Sequence, residues 1–368
     1  MSIKINSKIK TYSLAKDTAK PNESFIPEAD RRLKLGMVPN ATALLRWEKR
    51  PRPVGGNPAW TYMVDAPNGA FAVSVGHIEN GHASPFEVWV MGEAPRGLSA
   101  LAKSVSMDMR SMDRAWLKKK LESLAKCPGQ SFVMAMPDGI NVRVPSEVAA
   151  FARLVLWRCN ELNAFADEGG AMPLIEALMS KREPKTTTEG TLSWTVDVAN
   201  VGTGDDFVLF LKEATLPNGQ RRPFSIWLAG DYPRSLDGLC KSLSLDMRIV
   251  DVGWVLRKLD QIADAAEGMG GFMAQVPGKE KSSWYASTVA YIAALVKHRF
   301  KVLGLCDERG VPTGKTILSV IENVAHRDAP RVAEPLHGGD CMECGAVGAV
   351  RNEGGCGTCG VCGSSKCS

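Results

Sequence analysis

One stretch of this chain is written twice. Pro85-Phe86-Glu87-Val88-Trp89-Val90 returns as Pro223-Phe224-Ser225-Ile226-Trp227-Leu228. Gly92, Pro95, Arg96 and Leu98 return as Gly230, Pro233, Arg234 and Leu236. Lys103-Ser104-Val105-Ser106-Met107-Asp108-Met109-Arg110 returns as Lys241-Ser242-Leu243-Ser244-Leu245-Asp246-Met247-Arg248, and Asp113 and Trp116 have their mates in Asp251 and Trp254. Across 85–125 and 223–263 the register never slips and nearly half the positions are identical, which excludes chance. Two copies at so long a period mean tandem domains and not a solenoid.

Each copy carries the same plan. Strands are expected over 60–64 and 192–196, then 71–77 and 207–212, then 86–90 and 224–228, where apolar and polar residues alternate. Asn80-Gly81 and Asn218-Gly219 are hairpin turn signals between the second and third strands, with the first hairpin two residues shorter. Leu98, Leu101, Val105 and Met109 then fall on one helical face. A second helix starts near Asp113, a capping residue, with Trp116 and Leu117 facing inward. A strand over 131–136 or 271–276 precedes a last helix over 146–162 or 287–303. The expected fold class is α+β: two tandem homologous domains, each an antiparallel sheet with helices on one face, then a small metal-held tail. The boundaries are an extended arm over 1–54, the repeats over 55–166 and 188–306, a connector over 307–336 and a tail over 337–368.

The tail cannot fold on a core of its own. It holds six of the ten cysteines, Cys341, Cys344, Cys356, Cys359, Cys362 and Cys367, among glycines and a few small apolar residues. So little apolar surface cannot offset the entropy of ordering it, and a metal is the usual remedy. Cys341-Met342-Glu343-Cys344-Gly345 and Cys359-Gly360-Val361-Cys362-Gly363 read as two zinc knuckles, four thiolates for one tetrahedral Zn ion. Cys356 and Cys367 are then left for thiol–disulfide exchange. Alternatively Cys341, Cys344, Cys356 and Cys359 hold the zinc, and Cys362 and Cys367 form the spare pair. In both arrangements Cys367 is free beside Lys366, whose charge favours the thiolate. A disulfide-stapled tail, or spare cysteines that merely decorate a ribbon, are the blander readings. His337 could join the metal, but four cysteines suffice.

The run from Cys341 through Glu353-Gly-Gly-Cys356-Gly-Thr-Cys359-Gly-Val-Cys362-Gly-Ser-Ser-Lys366-Cys367 resembles the C-terminal tail of adenosylcobalamin-dependent (class II) ribonucleotide reductases. The Pro-Phe-x-[Val/Ile]-Trp strand and its helices resemble the TSCPD domain that accompanies those enzymes, the second copy with its Arg221-Arg222-Pro223-Phe224 more closely. The opening Met-Ser-Ile-Lys-Ile is similar to the start of the small subunit of split class II reductases. The resemblance implies a tail that carries structural Zn and passes electrons from thioredoxin or glutaredoxin to the active-site disulfide of a large catalytic chain. Adenosylcobalamin would sit on that partner chain only. The repeats, connector and tail leave no room for a catalytic barrel. The expectation is therefore an accessory, C-terminal subunit of a ribonucleoside-diphosphate reductase, not catalytic alone, serving deoxyribonucleotide synthesis for DNA replication. The rival readings are a zinc-ribbon adaptor for nucleic acid or protein, and a regulator of the reductase without electron transfer.

Composition sets further bounds. The 368 residues are 45% hydrophobic, enough for two or three domains. A net charge of +5, with no lysine–arginine block, does not call for nucleic acid or an anionic membrane. No apolar run approaches a membrane span and no signal core follows the basic N-terminus, so a cytoplasmic protein is expected. Cys127, Cys159, Cys240 and Cys306 lack paired spacing, and Cys159 and Cys240 fit buried positions on helices. Gly310 to Thr316 is not a P-loop, having three residues between its glycines where four are needed. Among the repeated residues, Arg96/Arg234 and Arg110/Arg248 with Asp108/Asp246 could form an anion site at a helix start. The favoured expectation is a capping turn and a surface ion pair. Trp89/Trp227 and Trp116/Trp254 are all expected in the core.

Overall fold

The alternation that predicts strands has a direct physical outcome. Phe71, Val73 and Val75 of the second strand have no exposed surface, while the residues between them face the other way. In this computed structural model, which describes residues 44–79, 83–166, 172–180, 182–186, 188, 190–216, 219–268, 270–313, 350–353, 356–359 and 365–367, the fold is α+β with antiparallel sheets and seven helices. The first half runs β1 (Ala59–Ala66), β2 (Gly69–Glu79), β3 (Ala83–Gly92), α1 (Leu98–Arg110), α2 (Arg114–Leu124), β4 (Phe132–Ala135), β5 (Asn141–Val144) and α3 (Glu147–Glu161). After a short helix α4 (Pro173–Glu176) the same order follows: β6 (Ser193–Asn200), β7 (Asp205–Thr215), β8 (Arg221–Asp231), α5 (Leu236–Met247), α6 (Val252–Ala263), β9 (Phe272–Ala274), β10 (Ser283–Tyr285) and α7 (Thr288–Val302). The strands β5 and β10, which complete the short hairpins, and the helix α4 were not anticipated from the sequence.

The Pro-Phe pair has a backbone role. Gly76 pairs with Glu87 and His77 with Pro85, so Phe86 is skipped; Lys212 pairs with Ser225 and Glu213 with Pro223, so Phe224 is skipped. Proline brings no N–H to the ladder, and a bulge is where a strand tolerates that. Both phenylalanines are buried as a result.

Each three-stranded sheet leaves its third strand at an edge, in the orders β1-β2-β3 and β6-β7-β8. A serine of the following helix stops that edge. Ser106 Oγ accepts from the Val88 N–H at 2.9 Å, and Ser244 Oγ accepts from the Ile226 N–H at 3.0 Å. Each hydroxyl also donates to its own helix, to the Ala102 and Cys240 carbonyls. A satisfied edge amide is a poor template for another strand.

Asp113 caps α2 as expected, accepting from the Trp116 N–H, and Ser146 and Ser287 cap α3 and α7, accepting from the Ala149 and Ala290 N–H groups. In the second hairpin, Gly219 has φ 79, as its turn requires. Asn80, Gly81 and Asn218, the strand expected around Ile3 to Ile9, and the helix expected at Ile317 to Ile321 lie outside the described residues.

Each half has its own core, and a third cluster joins them through Met107, Trp116, Leu178, Leu245, Ile249 and Trp254. Gly97 (φ 83) packs so closely on Leu236 that a Cβ would collide with it. The chain divides into two compact units, 1–323 and 324–368. In the second, β11 (Val350–Glu353), β12 (Cys356–Cys359) and β13 (Ser365–Cys367) form an antiparallel sheet in that order. Among the described residues no helix is long and apolar enough to cross a membrane.

Candidate functional site

The repeated aspartates are not at the surface. Asp108 and Asp246, on α1 and α5, are fully buried, and so are Lys120 of α2 and Lys258 of α6. Lys120 Nζ lies 3.0 Å from Asp108 Oδ2 and 2.7 Å from Asp246 Oδ2. Lys258 Nζ lies 2.6 Å from Asp108 Oδ1 and 3.2 Å from Asp246 Oδ1. The indole N–H of Trp116 donates to Asp108 at 2.7 Å, and that of Trp254 to Asp246 at 2.8 Å. Ser104 and Ser242 meet at 3.3 Å beside them. Each lysine thus serves the aspartates of both halves. Two charges of each sign cancel in a space closed to water, which is how buried ions become tolerable.

Burial alone would raise the Asp108 carboxyl, but the ammonium groups of Lys120 and Lys258 overcome it and hold Asp108 below the usual range. Burial would likewise lower Lys120, but the two carboxylates hold it above its ordinary value. Lys258 is brought down to about 8, by burial first and by the neighbouring Lys120 charge.

This corrects the expectation of a surface ion pair between Asp108/Asp246 and Arg110/Arg248. The aspartates pair with lysines, and the arginines, themselves buried, donate through Nε to the Ser106 and Ser244 carbonyls. The missed residues, Lys120 and Lys258, stand at matching repeat positions. An identical lysine inside an apolar helix pattern was the available signal.

The helix-start arginines do not form a shared anion site either. Arg96 pairs with the buried Asp205 of the other half and donates to the Thr203 carbonyl at 3.3 Å. Arg234 instead lies over the Tyr232 ring and donates to its hydroxyl at 2.8 Å. Trp116 and Trp254 are fully buried as expected, whereas Trp89 and Trp227 are 44% and 53% exposed. Trp89 pairs with Ser74 and Trp227 with Phe210, positions that alternate with the buried Val73 and Val75 and the buried Leu209 and Leu211, so strand alternation puts both tryptophans on the opposite face.

Four cysteines are held back from thiol chemistry by burial. Cys127, Cys159, Cys240 and Cys306 are buried and unbridged. Burial pushes the Cys127 thiol up to about 11 and Cys159 up to about 12, and raises Cys240 and Cys306 as well. Burial of Cys159 and Cys240 agrees with the sequence reading.

The tail contributes register. Cys356 pairs directly with Cys367 across β12 and β13, and Cys359 pairs with Val350 across β12 and β11. Cys341, Cys344 and Cys362 lie outside the described residues. Five of the six tail cysteines lie at Cys-x-x-Cys spacing, and such thiolate pairs fit a zinc ion. Comparison with protein-family models, with curated proteins and with solved structures returns no match to this chain.

Proposed function

We propose that this chain is the accessory C-terminal subunit of a class II ribonucleotide reductase, relaying electrons from thioredoxin or glutaredoxin to a large catalytic chain. On this reading the two halves are tandem homologous TSCPD domains and the tail is a zinc ribbon. Cys341, Cys344, Cys359 and Cys362 hold a structural Zn, and Cys356 and Cys367 are the redox pair. Adenosylcobalamin belongs to the partner, and the compartment is the cytoplasm.

The observation that carries the reading is the register of Cys356 against Cys367. Opposite positions in an antiparallel pair share a face and have Cβ atoms about 4.5–5.5 Å apart. That is close to the separation of about 3.5–4.5 Å that a disulfide needs. Positions 356 and 359 fall on opposite faces of β12, because strands alternate with period two. A strand therefore suits Cys356 and Cys359 poorly as joint ligands of one ion, which favours the set that spares Cys356.

The electron balance is that of disulfide exchange. The two tail thiols become a disulfide, and two electrons and two protons pass to the partner's disulfide, which becomes a dithiol. Thioredoxin or glutaredoxin then reduces the tail.

The test is multiple turnover of the catalytic chain with thioredoxin, with and without this subunit. Cys356→Ser and Cys367→Ser should each abolish the stimulation while leaving a single turnover intact. Unchanged turnover in both variants would rule out the relay. Salt-sensitive DNA binding that survives Cys367→Ser, with no thiol exchange, would favour the adaptor instead.

A further inference from the structure

One arginine is given a carboxylate in the second half and none in the first. Arg299 of α7 lies over the Trp194 ring at 5.4 Å and donates through Nε to the buried Glu213 at 2.5 Å. Arg158 of α3, at the same distance from its cap Ser146 as Arg299 is from Ser287, lies over the Trp60 ring at 4.8 Å. Strand register completes the match. Glu213 stands opposite Pro223 and His77 opposite Pro85. Their amides donate to the Leu192 and Pro58 carbonyls, two residues before Trp194 and Trp60. His77 therefore holds the place of Glu213, an imidazole where the other half has a carboxylate.

The exchange leaves donors without an acceptor. Arg158 Nε, the Tyr62 hydroxyl and His77 Nδ1 are buried atoms with no hydrogen-bond partner among the described residues. They lie in one corner. Trp60 pairs with Val75 and Tyr62 with Val73, and His77 follows Val75 by two, so all three face the same side of the sheet. Burial raises the Tyr62 hydroxyl, Arg158 opposes that and Glu161 adds to it, which places both charges near that oxygen. The second half has Val196 at the position of Tyr62, so this hydroxyl belongs to the first half alone. Glu79 meets His77 Nε2 at 3.4 Å, but Glu79 and Glu161 are both exposed and neither takes the Arg158 Nε–H. Trp60 is 55% exposed, so the corner opens to solvent. A guanidinium edge beside a hydroxyl suits a planar group that only accepts hydrogen bonds.

We propose that the corner formed by Arg158, Tyr62, His77 and Trp60 binds the carboxylate group of a ligand, doing for Arg158 what Glu213 does for Arg299. Arg158 donates to the carboxylate through Nε, the Tyr62 hydroxyl donates beside it, and the apolar part of the ligand lies against Trp60. A free small acid and an acidic side chain of a docked polypeptide present the same group. The site is independent of the electron relay and stands or falls without it.

Thermal unfolding of the full chain in sodium glutarate, against sodium chloride and sodium sulfate of equal ionic strength, tests this. Glutarate at about 100 mM should raise the midpoint by about 2–4 °C over chloride, the shift of a site with a dissociation constant of about 10 mM. Arg158→Met should remove the shift. His77→Glu should remove it as well, by supplying the carboxylate from within the chain. A titration followed by nuclear magnetic resonance at the Trp60 indole N–H, assigned through Trp60→Phe, reads the site in the unaltered protein. The blocked peptide acetyl-Ala-Glu-Ala-amide, binding tenfold or more tighter than glutarate, would assign the carboxylate to a polypeptide; equal or weaker binding would assign it to a free acid. No response to glutarate or the peptide, an undiminished response in Arg158→Met or His77→Glu, or sulfate as effective as glutarate would overturn the proposal.

Discussion

Lys120 and Asp246 are 126 residues apart in the chain and 2.7 Å apart in space, both without exposed surface. That contact crosses from one half to the other, and Lys258 returns it to Asp108 at 2.6 Å. The junction between the halves is therefore ionic at its centre and apolar around it, where Trp116 and Trp254 supply both packing and indole N–H donors.

Removing one charge from this cluster should be costly. Lys120→Met leaves two carboxylates facing a single ammonium in a dry site, and a loss of about 3–5 kcal/mol is expected. Replacing Asp108, Lys120, Asp246 and Lys258 together by apolar residues of similar volume should cost much less than the single change. Urea unfolding of both variants decides it. A loss under about 1 kcal/mol for Lys120→Met would mean that water reaches the cluster.

Arg222 is fully buried and its guanidinium donates to the Val250 carbonyl at 2.7 Å, to Met247 at 3.2 Å and to Ile249, capping the end of α5. Burial draws it down to about 10. Arg222→Met should cost about 2–4 kcal/mol, since charged hydrogen bonds to several carbonyls are lost at once. Arg222→Lys should recover little, because an ammonium cannot reproduce the planar fork. Thermal unfolding of the two variants would show it, and full rescue by lysine would refute the geometric argument.

The serine stops on β3 and β8 should matter for solubility more than for stability. Ser244→Ala frees the Ile226 N–H at a sheet edge, at a cost of about 1 kcal/mol. Self-association should rise in the Ser106→Ala/Ser244→Ala double variant, as read by light scattering against concentration. A strictly monomeric double variant would mean that the edges are protected by other means.

Thiol titration separates the sulfurs by environment. At pH 8 the thiols of Cys127 and Cys159, raised to about 11 and about 12, stay protonated and buried. On the proposed zinc ligand set, the native, reduced, zinc-loaded protein should show fast-reacting thiols in the tail alone, from Cys356 and Cys367. Chelation should bring the rest of the six tail cysteines into reach. The other four should react only in denaturant. Fast reaction of Cys240 in the native state would contradict the burial found here.

What the sequence by itself determined is what neighbours along the chain can enforce. Phe71, Val73 and Val75 alternate, Leu98, Leu101, Val105 and Met109 share a helical face, and Ser146 and Ser287 sit where a cap is needed. Each becomes the element expected, because backbone period and local hydrogen bonds suffice to specify it. Tertiary structure alone decided which repeated polar residues see water. Asp108 reads like a solvated helix residue until the other half arrives, and only that packing removes the water and supplies the lysines. Trp89 and Trp227 face out because they alternate with Val88 and Ile226, and only the packing of helices against one face of each sheet decides which of the two faces is buried.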